Sequence, residues 1–158
     1  MLKPLDQAPL DIPVIDNQGK KTSLNEHLGQ YLVIYFYPKD NTPGCTTEAC
    51  SFRDANVELQ KLGVKVIGIS KDSLSSHQKF AEKHRLNFPL WSDPDHQLLK
   101  AFGAWGQKNR FGKIYMGIIR STFIIDPQGK IIKTWEKVNV KNHTQEVLTF
   151  LKEKLNNK

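Results

Sequence analysis

A run of apolar, β-branched and aromatic residues, YLVIYFYP, occupies positions 31–38. Scarcely a polar position interrupts it, which predicts a strand buried on both faces and ended by Pro38. Beyond residue 45 the spacing changes to threes and fours: Ala49, Phe52, Ala55, Leu59 and Leu62 mark an amphipathic helix, closed by Gly63. VKVIGIS (64–70) predicts a second buried strand. A helix over 75–85 turns Phe80 inward, and a short strand over 88–91 follows. Asp93-Pro94 opens the helix HQLLKAF, which Gly103 ends. Residues 104–117, with Gly106, Gly112 and Gly117, read as an ordered loop. IIRSTFIID and KIIKTWEK flank Pro127-Gln128-Gly129 and predict a β-hairpin. Asn142 or Thr144 caps a last helix that buries Val147, Leu148, Leu151 and Leu155. Near the N-terminus, IPVI (12–15) and the turn Asn17-Gln18-Gly19 predict a hairpin extension. Ser23 begins a short helix.

This order predicts an α/β protein with a central mixed sheet flanked by helices on both faces. No repeat or flexible linker divides the 158 residues, so 1–158 reads as one domain. Hydrophobic residues make up 39% and charged residues 25%, ordinary for a globular protein. No apolar run reaches the roughly 18 residues of a membrane span. The opening MLKPLDQAPLDIPV lacks the apolar core of a signal peptide. A cytoplasmic location follows as the expectation. The net charge is +7, but the lysines look scattered and form no basic run. No nucleic-acid partner is therefore expected, and with no apolar span no membrane partner either.

Composition becomes informative at PKDNTPGCTTEAC, residues 38–50, which holds both cysteines of the chain. Thr42 suits an N-cap and Pro43 the first helical position, which puts Cys45 in the first turn. Unpaired N–H groups and the helix dipole there favour a thiolate, and such sites lower a thiol pKa from about 8.5 towards 3.5–7.5. The competing reading is a buried, inert cysteine. In a wound helix, Cα atoms five residues apart lie about 8.7 Å from each other. A disulfide needs about 4.4–6.8 Å. Should Cys45 and Cys50 bond, the first turns must unravel. The spacing is not C-x-x-C, which disfavours a thioredoxin-type reductase motif.

Pro38-x-x-x-Thr42-x-x-Cys45 resembles the active-site motif of the peroxiredoxins. YFYPKDNTPGCTTEACSFRD and WGQKNRFGKIYMGIIRSTFIIDPQGKI resemble the bacterioferritin comigratory protein, or peroxiredoxin Q, subfamily. The resemblance implies a thioredoxin-like fold and a thiol peroxidase acting on hydrogen peroxide and alkyl hydroperoxides. In that scheme Cys45 attacks the peroxide, Thr42 offers its hydroxyl, Pro38 shields the pocket and Arg120 holds the thiolate and the polarised peroxide. Cys50 then resolves the sulfenic acid as a Cys45–Cys50 disulfide, reopened by a thioredoxin-type dithiol reductant. No cofactor and no metal are implied. No cysteine follows residue 50, so a partner's C-terminal cysteine is not needed and a monomer is expected. Ile119 departs from the subfamily, which often has a charged residue there.

Simpler readings stand beside these. Arg120 is otherwise a surface arginine on a strand, Thr42 only a cap and Pro38 only a strand terminator. Glu48 is either a first-turn dipole partner or the group that orients an arginine. Trp105, Tyr115 and Met116 are pocket or, more simply, core residues. His77 and His84 share a helix face and read as surface residues. A copper-binding protein on a similar fold and a nucleic-acid or holdase-type binding protein are the alternative classes. Neither explains the Thr-Pro-Gly approach to Cys45.

Overall fold

The structure, a computed structural model, describes residues 1–156. Its main sheet has seven strands in the order β2-β1-β5-β4-β3-β8-β9. These are β1 (Val14–Ile15), β2 (Lys21–Thr22), β3 (Tyr31–Phe36), β4 (Val64–Ser70), β5 (Leu90–Ser92), β8 (Ser121–Ile125) and β9 (Ile131–Trp135). β3, β4 and β5 are parallel, while β8 runs antiparallel to β3 and β9 to β8. The helices are α1 (Pro43–Lys61), α2 (Leu74–His84), α3 (Gln97–Phe102) and α4 (His143–Asn156). A 3-10 turn over Leu24–His27 follows Ser23, with Glu26 reaching back to the Ser23 N–H.

β3 lies between β4 and β8, and Leu32 through Phe36 are buried on both faces, as its uninterrupted apolar pattern requires. Leu32, Ile34 and Phe36 join Ile67, Ile69 and Phe123 in a core under α3. Val33, Tyr35 and Tyr37 join Phe52, Phe80 and Leu151 in a second core, which α1, α2 and α4 cover. Helices thus lie on both faces of a mixed sheet. β3 and β4 pack so closely that a Cβ on Gly68 would lie 2.8 Å from the Tyr35 ring.

The structure corrects one element outright. Residues 104–117 are not a loop: β6 (Trp105–Arg110) and β7 (Lys113–Ile118) pair antiparallel as a separate two-stranded sheet. The turn joining them holds Phe111 and Gly112, both at positive φ. Three boundaries also shift. α2 starts at Leu74, capped by Ser73, whose hydroxyl accepts the Ser76 N–H. β5 starts at Leu90 rather than residue 88, and α3 at Gln97 with His96 before it.

Register explains where the chemistry gathers. Phe36, the last residue of β3, sits opposite both Ile69 of β4 and Ser121 of β8. The loop after β3 and the residue before β8, Arg120, consequently meet at the carboxyl end of β3.

Candidate active site

α1 begins immediately after Thr42, whose backbone is extended at φ −85° and ψ 152°. Proline suits the first helical position because its φ is preset and the missing N–H would have no partner there. Cys45 is the third helical residue and is 1% exposed. Its neighbours in the core include Tyr35, Tyr37, Ala49 and Phe52. Cys50, five residues on in the same helix, is partly exposed, and both cysteines are free thiols.

Thr42 does not cap the helix with its side chain, contrary to the sequence expectation. Its hydroxyl donates to the Lys39 carbonyl at 2.9 Å and closes the turn before the helix. The first-turn N–H groups around Cys45 are left without that cap and keep the anion-binding character of a helix N-terminus. Pro38, half-buried, begins this turn.

Arg120 is neither within a strand nor a surface arginine. It lies in the two-residue break between β7 and β8, and its side chain is 20% exposed. Nη2 donates to Cys45 Sγ at 3.1 Å and Nη1 to Glu48 Oε1 at 2.6 Å. Gly44 is what lets the guanidinium approach: a Cβ there would sit 3.3 Å from Nη2. Burial works against the Arg120 charge, but Glu48 and then Cys45 more than offset this, so its pKa lies above the ordinary arginine value.

Glu48 therefore orients an arginine, one of the two readings open from sequence. Its side chain is fully buried. Burial pushes its pKa up to about 7, although Arg120 acts in the opposite direction. Its second oxygen, Oε2, is buried without a hydrogen-bond partner among the described residues. Two further groups here have no signature in the sequence. Lys108 of β6 donates to the Ile118 carbonyl at 2.8 Å. Burial first, then the Arg120 charge, lowers its pKa. His143, the first residue of α4, places Nε2 2.7 Å from Thr122 Oγ1. Burial, and then Arg120, push its pKa down to about 4, so it is neutral beside the guanidinium.

The turn before α1 is anchored from below by His77, which is buried at 2% exposure and not a surface residue. Its Nδ1 is 2.7 Å from Asp40 Oδ2, and its Nε2 is 3.1 Å from the Trp91 carbonyl. Both ring nitrogens are thus engaged, one by a carboxylate and one by a backbone carbonyl. The Tyr37 and Ser76 hydroxyls also donate to Asp40, and the Asp40 N–H donates to Asp72. Asp40, Asp72 and His77 lie close enough together to suggest a metal site. Their facing atoms, however, are already engaged with protein donors and acceptors. The signal available in sequence was Asp40 itself, a carboxylate directly after a buried strand. Of the remaining candidates, Trp105 packs half-buried and stacks on His96 at 3.7 Å. Tyr115 and Met116 are 43% and 56% exposed, which corrects their reading as core residues.

A thiol in the first turn of the helix that follows a central strand, with a guanidinium donating to its sulfur, defines a class of thiol-redox proteins. Residues 4–134 match the AhpC/TSA family, and the chain belongs to this family of peroxiredoxins. It is 49% identical over 149 residues to peroxiredoxin Bcp of Bacillus subtilis, covering 94% of this chain and 95% of that one. It is 47% identical over 153 residues to peroxiredoxin Bcp of Escherichia coli K12, covering 96% and 97%. Among solved structures, the bacterioferritin comigratory protein of Xanthomonas campestris, studied for alkyl peroxide reduction, superposes with a TM-score of 0.90. That likeness carries 43% identity and covers 98% of this chain and 99% of the other. A cysteine-to-serine mutant of Xylella fastidiosa PrxQ superposes with a TM-score of 0.91 at 38% identity, covering 98% of both. The fold is thioredoxin-like, as the motif resemblance implied.

Proposed function

We propose that this protein is a thiol-dependent peroxidase in which Cys45 is the peroxidatic nucleophile, Arg120 its electrostatic partner and Cys50 the resolving cysteine. Membership of the peroxiredoxin family carries the activity. The observation that supports the assignment of roles is the 3.1 Å donation from Arg120 Nη2 to Cys45 Sγ. The Cys45 thiolate attacks the terminal oxygen of the peroxide, the O–O bond breaks, and the electron pair leaves on the distal oxygen as alkoxide or hydroxide. Preset donors stabilise the charge that develops there. Arg120 supplies a fixed donor there through Nη2, Thr42 a second once its hydroxyl turns from the Lys39 carbonyl to the peroxide, and Pro38 walls the approach. Protonation of the leaving oxygen releases alcohol or water, and Cys45 is left as a sulfenic acid.

The Cys50 thiol then displaces hydroxide from the sulfenic acid, which releases water and forms the Cys45–Cys50 disulfide. Both residues lie on α1, so its first two turns unwind for this step. A thioredoxin-type dithiol returns two electrons by exchange through a mixed disulfide. Hydrogen peroxide and small alkyl hydroperoxides are the proposed substrates, the protein working as a cytoplasmic monomer. Mass spectrometry after one equivalent of peroxide tests the scheme. The expected product is two mass units lighter, with the bridge mapped to 45–50, and Cys45→Ser abolishes the reaction. Full peroxidase activity in Cys45→Ser overturns the nucleophile. An added oxygen with no bridge overturns Cys50 as its resolving partner.

A further inference from the structure

We infer that the β6–β7 hairpin is a docking finger for an anionic membrane surface. No apolar run is long enough to span a membrane, and the lysines look scattered along the chain. Folding gathers some of them. From residue 96 to residue 125 there are five lysines and arginines and no acidic residue. Three of the five, Lys108, Arg110 and Lys113, stand on the hairpin. No salt bridge among the described residues involves any of them.

Register sorts the two faces of the hairpin. Lys108 pairs with Tyr115 and Arg110 with Lys113, so the cations share one face. Asn109 pairs with Ile114 and Gln107 with Met116 on the other. Ile114 and Met116 are 63% and 56% exposed, and Phe111 at the tip is 96% exposed. These three apolar side chains belong to neither buried core. Single exposed apolar residues are ordinary, but a contiguous set on a projecting element marks an interaction site.

The chemistry of the tip decides what kind of partner fits. Phe111 at the tip is almost wholly exposed, with Arg110 before it and Lys113 two residues after it. An amphipathic element with a cationic face and an aromatic end suits the headgroup boundary of an anionic bilayer. The base of the hairpin adjoins the active site, since Lys108 is close enough to Arg120 and Cys45 to feel their charges. Docking therefore brings the Cys45 edge of the molecule to the surface.

Co-sedimentation with phosphatidylglycerol vesicles tests this on the intact protein without any turnover, so it stands or falls apart from the peroxidase reading. Binding is expected at low salt, weak on phosphatidylcholine, and lost as salt rises. Arg110→Gln with Lys113→Gln should lower partitioning about thirtyfold, roughly fivefold per cation near an anionic surface. Phe111→Ser with Ile114→Ser should also weaken it, while both doubles keep peroxide reduction in solution, showing that they fold. Absence of binding to phosphatidylglycerol overturns the inference, as does equal binding to neutral vesicles or indifference to both doubles. A lipid-free dimer that the Phe111 and Ile114 changes convert to monomer overturns it too, by assigning the face to a second copy of the chain.

Discussion

Glu48 and Arg120 meet through one hydrogen bond of 2.6 Å, while the other Glu48 carboxyl oxygen is buried and has no partner among the described residues. The carboxyl thus holds the guanidinium over Cys45 yet remains close to taking up a proton. That balance makes the site sensitive to pH and to small displacements.

Glu48 and His143 should oppose each other in the pH dependence of stability. The Glu48 pKa rises from 4.5 to about 7 on folding, so the folded state binds the extra proton between those values. Its stabilising contribution is complete below pH 4.5 and declines as pH climbs to about 7. The His143 pKa falls from 6.5 to about 4, so its contribution is complete above 6.5 and is lost as pH drops towards 4. The two slopes cancel between 4.5 and 6.5. Urea unfolding of Glu48→Gln should show stability rising with pH across this window more steeply than wild type. The difference between the proteins should change by on the order of 3 kcal/mol, at about 1.4 kcal/mol per pKa unit. Parallel curves would show that Glu48 does not titrate there.

Gly44→Ala should slow peroxide reduction without loss of fold. The added methyl would lie 3.3 Å from Arg120 Nη2, and Glu48 restrains the guanidinium from retreating. A displacement of a few tenths of an ångström should cost roughly tenfold in the rate of Cys45 oxidation. Alanine is the better helix former, so the melting temperature should hold or rise. Stopped-flow fluorescence paired with thermal melts separates the two effects.

Arg120→Lys should reduce the second-order rate with peroxide by about a hundredfold. A single ammonium cannot donate along both fixed directions, and loss of one preset donor typically costs 10²- to 10³-fold. Its stability cost should stay below the roughly 3–5 kcal/mol of a broken buried ion pair, because Glu48 can accept a proton instead.

His77→Gln should destabilise the protein by about 3 kcal/mol, the scale of a buried pair deprived of one partner. Released from its 2.7 Å contact with His77, Asp40 no longer holds the turn that carries Thr42. Cys45 oxidation should slow as well, at temperatures where the variant is still folded. A variant as fast as wild type would show that the anchor serves stability alone.

Cys50→Ser should consume one equivalent of peroxide at the wild-type rate and then turn over poorly with a dithiol reductant. In the wild-type protein, oxidation should lower far-UV helicity by about two turns and deprotect the amides of residues 43–50. The serine variant should show neither change on oxidation.

The elements legible in the sequence were those whose pattern follows from burial. β3 and β4 are inside on both faces and read as apolar runs, and α1 announces its inward face through Ala49, Phe52 and Leu59. β6 and β7 were not legible because a ribbon that packs on little has no apolar alternation to display, and its three glycines read as turn. Cys45 stood out from its place in the first turn of α1, whereas the roles of Thr42 and Pro38 came only from the resemblance of their spacing to the peroxiredoxin motif. The neighbours that act on Cys45 from a distance were harder. His77 looks like any helix-surface histidine until Asp40, 37 residues away, closes on it. The Glu48 reading stayed open because only the chain crossing at β8 brings Arg120 within reach.

α1 is 19 residues long, and only its front end carries the sulfur chemistry. Behind Cys50, Phe52 and Leu59 are wholly buried, and Glu58 is tied to Lys152 of α4 at 2.7 Å. On the proposed mechanism, the rear three turns act as a clamp while the front two melt and rewind once per catalytic round. Warming should then hasten the resolving step well before it threatens the whole protein, because the opening that chemistry needs is far smaller than the one that unfolds the chain.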